Sequence, residues 1–571
     1  MTKRSTLRAW LMLSVALGVT LPVLAQTNPL WIPPTLEGPT YDLAMHRTQH
    51  VFFDGEPSDT YSFNETYLGP TLIWTKGEQI QLNVHNQLGE PTTVHWHGAH
   101  VAPENDGGPH TVIADGTTWE PSFEVLDQAT TLWYHPHLHR HTNEHIYRGL
   151  AGMIIVRDEA EAALALPRTY GVDDIPVMLQ DRWFRNDRSL RFSTSNEEGA
   201  SGNLMVVNGV IEPFVQVPAQ VVRLRVVNAS GARVYNLGFA DGRSFFQIGT
   251  DGGLLEAPVE LDRLPLAPGE RAELLVDASD LQDQRIDLMS FSSELNRGEP
   301  GSTPGNILNN PLDGGDFHVL TLDVTAPTVD GIRVIPDELL PLDFIDESEA
   351  TVTRTFTLDV GHSINGRLMD LNFINERIVL GATEIWEIHN ASFLPHPFHI
   401  HDIQFYILDR DGQPPPPNER GRKDVVMVHT DETVRIIGTF ATHADNNIPY
   451  MYHCHFLGHE DLGMMGQFIV YNPVVSNEET PETPEHLHLF QNYPNPVAEE
   501  TTILFELPEP EAVRLVVYDV QGKAVETIYE GLLPAGQHQY PWDARPYPSG
   551  TYFYRLHTSQ RAPAGIMTVL R

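Results

Sequence analysis

One stretch constrains this chain more than any other: Tyr452-His453-Cys454-His455-Phe456-Leu457-Gly458-His459, followed by Met464, which holds the only cysteine of 571 residues. If it is a β-strand, its side chains alternate in direction. His453 and His455 then face one way and Cys454 the other, so a single strand serves two sites. Cys454, His459 and Met464 supply a thiolate, an imidazole and a weak axial thioether, the donor set of a blue-copper site short of one imidazole. His453 and His455 require a second metal site with more histidines, and the rest of the chain has to provide them.

It provides three further His-x-His pairs in strand-like surroundings: His95-Trp96-His97, His135-Pro136-His137 and His399-Ile400-His401. A lone pair among 27 histidines means little, but four pairs, one of them flanking the sole cysteine, are not an accident of composition. The pairs sit in repeats. Three regions each carry a strand ending in asparagine, at Asn86, Asn228 and Asn390. Two of them share an end: Trp133-Tyr134-His135-Pro136-His137 beside Met451-Tyr452-His453-Cys454-His455, each followed by a glycine-bearing strand. In that alignment Pro136 takes the place of Cys454, so the first repeat keeps its histidine pair but has no thiolate. The second repeat has no pair and reads as a spacer.

Short alternating strands such as Gln79-Ile80-Gln81-Leu82-Asn83-Val84, broken by turn residues, indicate an all-β chain, in line with 43 Gly and 44 Pro. The expected layout is three consecutive Greek-key β-sandwiches at residues 35–160, 170–325 and 350–472. An acidic linker at 476–488 and a small C-terminal β-sandwich at 489–571 follow. The apolar run after Lys3, Arg4 and Arg8, closed by Val23-Leu24-Ala25, reads as an export signal over residues 1–25 and is too short for a membrane span. An exported chain with one cysteine forms no internal disulfide. A net charge of −40 argues against nucleic acid and anionic membrane as partners. Loops 297–316 and 414–417 (four consecutive prolines) are read as solvated surface.

Eight histidines are too many for one ion and suit a cluster of three. His396, three residues before His399, completes the thiolate site. The third sandwich would then hold one copper with His396, Cys454, His459 and Met464, and three more coppers would lie between sandwiches one and three. Because Cys454 is bonded through the backbone to His453 and His455, electrons have a short route from one site to the other. A small-molecule reductant would give single electrons at the thiolate site, and dioxygen would be reduced to water at the cluster. Asp106 and Glu460, near the ligands in sequence, are expected to supply protons.

At these residues the chain resembles the multicopper oxidases, the laccase-like group with three cupredoxin domains, over about residues 35–471. The motifs are His95-Trp96-His97-Gly98, Trp133-Tyr134-His135-Pro136-His137, His396-Pro397-Phe398-His399-Ile400-His401, and His453-Cys454-His455 with His459 and Met464. The resemblance implies type 2 copper on His95 and His399. It implies a type 3 pair on His97, His135, His137, His401, His453 and His455, with acidic roles at Asp106 and Glu460. The chain departs from many bacterial relatives at Gly458, where they carry Glu. Bacterial cuprous oxidases carry a methionine-rich insert that this chain, with 13 Met, lacks. Phenols or aromatic amines are therefore the expected reductants, with cuprous, ferrous or manganous ions as the alternative. Some relatives have lost copper and act as structural cell-division factors, but this chain keeps every ligand. The tail, with Gln491-Asn492-Tyr493-Pro494-Asn495-Pro496, Trp542-Asp543 and Ser549-Gly550-Thr551-Tyr552, resembles the type IX secretion sorting domain. That implies passage through the secretion machinery to the cell surface or beyond.

Overall fold

The computed structural model describes residues 28–55, 57–192, 202–302, 310–472, 487–490, 492, 495, 497, 500–559 and 561–570. The expected export signal at 1–25 and linker residues 476–486 lie outside them, as does most of the 491–496 motif. The chain forms two compact units, Met1–Pro473 and Val474–Arg571.

The first unit contains three cupredoxin-like Greek-key sandwiches. In the first, one sheet runs in the order Thr35–Glu37, Thr71–Thr75, Gly152–Arg157, Thr130–His135, His95–His97. The facing sheet is built on Ser58–Phe63, Thr40–His50 and Gln79–Gln87. The third repeats this plan: Glu376–Val379, Met465–Tyr471, Tyr450–Cys454, His396–Ile400 and Val425–Val428 face a sheet built on Val352–Asp359, Thr383–Asn390 and Thr433–Thr439. In the second, the sheet through Pro213–Pro218, Phe317–Thr325, Arg285–Ser290, Tyr235–Phe239 and Leu264–Leu266 faces one centred on Val221–Asn228 and Arg271–Asp277. The alternation read in the sequence is what fills these cores. Ile80, Leu82 and Val84 are fully buried on one face of their strand while the residues between them are not.

Two recurring devices explain why the repeats fold alike. Each strand-end asparagine is buried with its amide fully used. Asn86 Nδ2 donates to Glu90 O and Ile113 O, both at 2.8 Å. Asn228 Nδ2 donates to Arg233 O and Leu266 O, both at 2.9 Å. Asn390 Nδ2 donates to Leu394 O at 2.7 Å and Val428 O at 3.0 Å. In each, Oδ1 accepts the backbone N–H two residues on. A short polar side chain thus pins the turn to the facing sheet, where an unmatched buried amide would cost about 1–3 kcal/mol. The second device is a tyrosine laid across a glycine. Tyr134 pairs with Gly152 and Tyr452 with Gly466, and a Cβ on either glycine would collide with the phenol ring.

The N-terminal strand was not foreseen in this place. Asn28–Pro29 pairs in parallel with Pro213–Pro218 and so extends a sheet of the second sandwich. The four-proline loop ends in a short turn, Pro417–Glu419, against the second sandwich, where Gln247 Nε2 donates to Asn418 O at 3.3 Å. The C-terminal unit is a separate sandwich. A sheet of His488–Leu489, Glu500–Leu507 and Gly536–Asp543 faces Ala524–Leu533, Glu511–Tyr518, Gly550–His557 and Ala564–Val569 across Phe505, Leu515, Trp542 and Tyr554. Among the described residues no helix is long and apolar enough to cross a membrane.

Candidate metal centre

Strand register brings the histidines together. In the first sandwich His135 pairs with His95 and Trp133 with His97; in the third, His453 pairs with His399. Side chains of one strand at alternate positions share a face, so each sandwich presents four imidazoles toward the other. All eight are at most 1% exposed. They fall into three sets whose nitrogens lie within 4.8 Å of one another: His95, His399 and His401; His97, His135 and His455; His137, His401 and His453.

The surrounding hydrogen bonds decide which nitrogen of each ring is left for a ligand. Nδ1–H donates to Asp106 O from His95 at 2.9 Å and to Asp424 O from His399 at 2.8 Å. The His401 Nδ1–H donates to Asp106 Oδ2 at 2.8 Å. The Nε2 atoms of these three rings are buried with no partner among the described residues. His135 Nδ1–H donates to Pro136 O and His453 Nδ1–H to Cys454 O, at 2.8 and 3.1 Å. Their Nε2 atoms approach His97 Nδ1 at 3.3 Å and His137 Nε2 at 3.1 Å. Nitrogens converging in this way, with no proton donor between many of them, are the arrangement that soft or borderline cations complete. The donor set therefore fits copper.

The thiolate site lies one residue along the same strand, facing the core of the third sandwich. His396 Nδ1 is 3.4 Å from Cys454 Sγ, His459 Nδ1 is 3.6 Å from it, and the two imidazoles are 3.3 Å apart. His459 is carried by the short helix Leu457–Leu462, and Met464 follows its capping residue, Gly463. Met464 is buried in the same cluster as Cys454, and its backbone O accepts the Cys454 N–H at 3.0 Å.

Electrostatics favour neutral imidazoles. Burial pulls His396 and His455 down to about 3. Burial also lowers His401 to about 4, against the opposing pull of Asp106. Burial pushes the Cys454 thiol up, so a metal has to displace its proton. Burial would raise the Asp106 carboxyl, but His401 and His95 beside it hold it well below the usual carboxylate range. Glu460 is raised, first by burial and then by Asp461.

Both expected acids reach the cluster. Asp106 ends the helix Pro103–Asp106 and is 3.3 Å from His95 Nδ1. The next residue, Gly107, turns at φ 77° so close to Val94 O that a Cβ there would clash. Glu460 lies 3.4 Å from both His137 Nδ1 and His453 Nδ1. Other neighbours carried no sequence signal. Asp424 Oδ1 accepts from His97 Nε2 at 3.2 Å and is gripped by Arg271 of the second sandwich. Ser392 Oγ is 2.7 Å from His396 Nε2. His362, at φ 62°, packs its ring 4.2 Å from that of His459. The second sandwich is thus more than a spacer. It holds none of the histidine sets, having Leu237 and Phe239 where the third has His399 and His401, but it contributes contacts to the centre.

Family models described as multicopper oxidase match residues 45–161 and 345–474, and one described as a secretion system C-terminal sorting domain matches 491–564. A multicopper oxidase, mco, of Staphylococcus aureus is 34% identical over 76% of this chain and 88% of its own. A cell division protein FtsP of Photorhabdus laumondii is 35% identical over 78% of this chain and 92% of its own. A solved structure of a bacterial laccase-like multi-copper oxidase CueO from Ochrobactrum sp. aligns with a TM-score of 0.70 at 34% identity, covering 77% of this chain and all of that one. The chain belongs to the multicopper oxidase family.

Proposed function

We propose that this protein is an exported oxidase that carries four coppers, takes single electrons from a small aromatic reductant and reduces dioxygen to water. The observation that carries the reading is the convergence of the eight imidazoles in three sets, joined through one strand to the His396, Cys454 and His459 set. Bound copper supplies one-electron redox chemistry and dioxygen binding. The chain does the rest. Cys454 and its two flanking histidines give electrons a covalent path between the sites, and burial of every ligand keeps bulk water from intercepting partly reduced oxygen. Glu460, which burial keeps protonated, is proposed to hand protons to the cluster on the side at which it touches His137, and the ionised Asp106 to relay them on the side at which it touches His401. The sorting-domain match supports export through the secretion machinery.

The rim of the thiolate site supports an organic reductant. Phe393 is 69% exposed and adjoins Ser392, which binds His396. Leu462, at 52%, ends the helix that carries His459, and Leu368, at 51%, lies over the following Gly463. An apolar edge of this kind suits a phenol or aromatic amine better than a hydrated ion. The rival is oxidation of cuprous, ferrous or manganous ions. Copper content with visible and electron paramagnetic resonance (EPR) spectra tests the metal assignment, with four coppers and both blue and non-blue cupric signals expected. Turnover of a bulky phenol compared with the three metal ions tests the substrate. Faster turnover of an ion would sink the aromatic reading.

A further inference from the structure

We propose that Arg271, on the sandwich that holds none of the histidine sets, is a positioning residue for the trinuclear centre. It fixes Asp424 and, through it, two imidazoles from different sandwiches. The inference rests on the reading of the eight histidines as a copper cluster.

The guanidinium of Arg271 is fully buried, and each of its five donors has its own acceptor. Nη1 donates to Asp424 Oδ1 at 2.5 Å and to Gly269 O at 3.1 Å. Nη2 donates to Asp424 Oδ2 at 2.5 Å and to Asp251 O at 2.9 Å. Nε donates to Thr131 O at 3.1 Å. Thr131 belongs to the first-sandwich strand Thr130–His135, which carries a ligand, and Asp424 immediately precedes Val425–Val428 of the third. One side chain therefore ties all three sandwiches at a single point. Asp424 passes this order on: its Oδ1 accepts from His97 Nε2 at 3.2 Å and its backbone O accepts from His399 Nδ1 at 2.8 Å.

Two glycines mark how closely the pair is fitted. A Cβ on Gly98, at φ 89°, would run into both Arg271 Nη2 and Asp424 Oδ2, so the glycine that closes the first histidine motif is explained by the pair crossing it. A Cβ on Gly269, at φ 86°, would come within 2.9 Å of the His455 ring. The turn that precedes the strand of Arg271 thus also presses its backbone against a third proposed ligand. A bidentate arginine–carboxylate pair fixes the plane as well as the position of the carboxylate, which lysine cannot do.

The test is copper loading of the full chain with Arg271→Met, Arg271→Lys and, as a control, Arg233→Met. Arg233 is equally buried in the second sandwich, but its guanidinium pairs with Asp181 and Asp313, neither of which bonds a proposed ligand. In Arg271→Met the cluster should bind copper about 10–100-fold more weakly, the usual loss when an outer-shell partner is removed. The non-blue cupric EPR signal should fall relative to the blue one, while the blue absorption persists. Arg271→Lys should restore part of the non-blue signal. Arg233→Met should lower stability and leave the blue to non-blue ratio unchanged. Wild-type ratios in both Arg271 variants, or the same ratio change in Arg233→Met, would overturn the assignment. If Arg271→Met does not fold, Arg271→Lys decides by the same ratio. Failure of the wild-type protein to bind copper would instead overturn the proposed function.

Discussion

The first and third sandwiches share a frame so closely that the first contains a silent counterpart of the thiolate site. Thr92 follows Asn86 at the spacing at which His396 follows Asn390. Pro136 stands at the position of Cys454, and its carbonyl likewise accepts from the preceding histidine. Leu150 N–H donates to His145 O at 3.1 Å, as Met464 N–H donates to His459 O at 2.9 Å. The counterparts of His396, Cys454, His459 and Met464 are therefore Thr92, Pro136, His145 and Leu150. One histidine survives, and Thr92 Oγ1 lies 3.0 Å from its Nδ1, where the third sandwich has two imidazoles 3.3 Å apart. The fold is indifferent to whether this pocket holds a metal, because its strands, pinned asparagines and tyrosine–glycine contacts are the same in both. Three side chains account for the difference in chemistry.

The largest effect should come from erasing the difference. Cys454→Ser should abolish the blue colour and all oxidase activity, because an alcohol is not a soft ligand. Retained turnover would refute the electron route. Next in size is the reverse experiment. Thr92→His with Pro136→Cys and Leu150→Met should add a second blue signal, up to twice the wild-type absorption. An unchanged spectrum with bound copper still at four ions would show that the two pockets are not equivalent.

A smaller effect concerns protons. Burial lowers His145 to about 4 and His396 to about 3, against 6.5 for a free imidazole. Between those values the unfolded chain binds protons that the folded chain does not. The stability of the metal-free protein should therefore rise with pH through this window, by ~1.4 kcal/mol per pH unit for each such group. Denaturant midpoints of metal-free protein at pH 5 and 7 measure it. His145→Asn should flatten the slope by about one proton and leave the copper spectra alone, and an unchanged slope would contradict the burial argument. The smallest effect is Met464→Leu. It should raise the reduction potential at unchanged copper content, since losing thioether donation disfavours the cupric state. An unchanged or lower potential would point to Met465 as the axial residue.

The convergence of the proposed ligands was legible in the sequence because alternation along a strand is a local rule. Two histidines at positions i and i+2 face the same way wherever the strand goes, and the asparagine-ended strands disclosed the repeats. Arg271 and Asp424 were not legible. They are 153 positions apart, and no spacing relates one sandwich's loop to another's strand. The same holds for Asn28–Pro29 in the second sandwich, and for His362, whose place over His459 depends on a left-handed turn at a non-glycine residue.

The N-terminal strand has a consequence for the order of assembly. Asn28 Nδ2 donates to Ile211 O, 183 positions later, so the earliest described segment cannot pair until residues 211–218 have followed. A chain that emerges start first must hold this strand unpaired until the whole first sandwich and the opening strands of the second are across, so its pairing is a long-range step that local folding cannot complete.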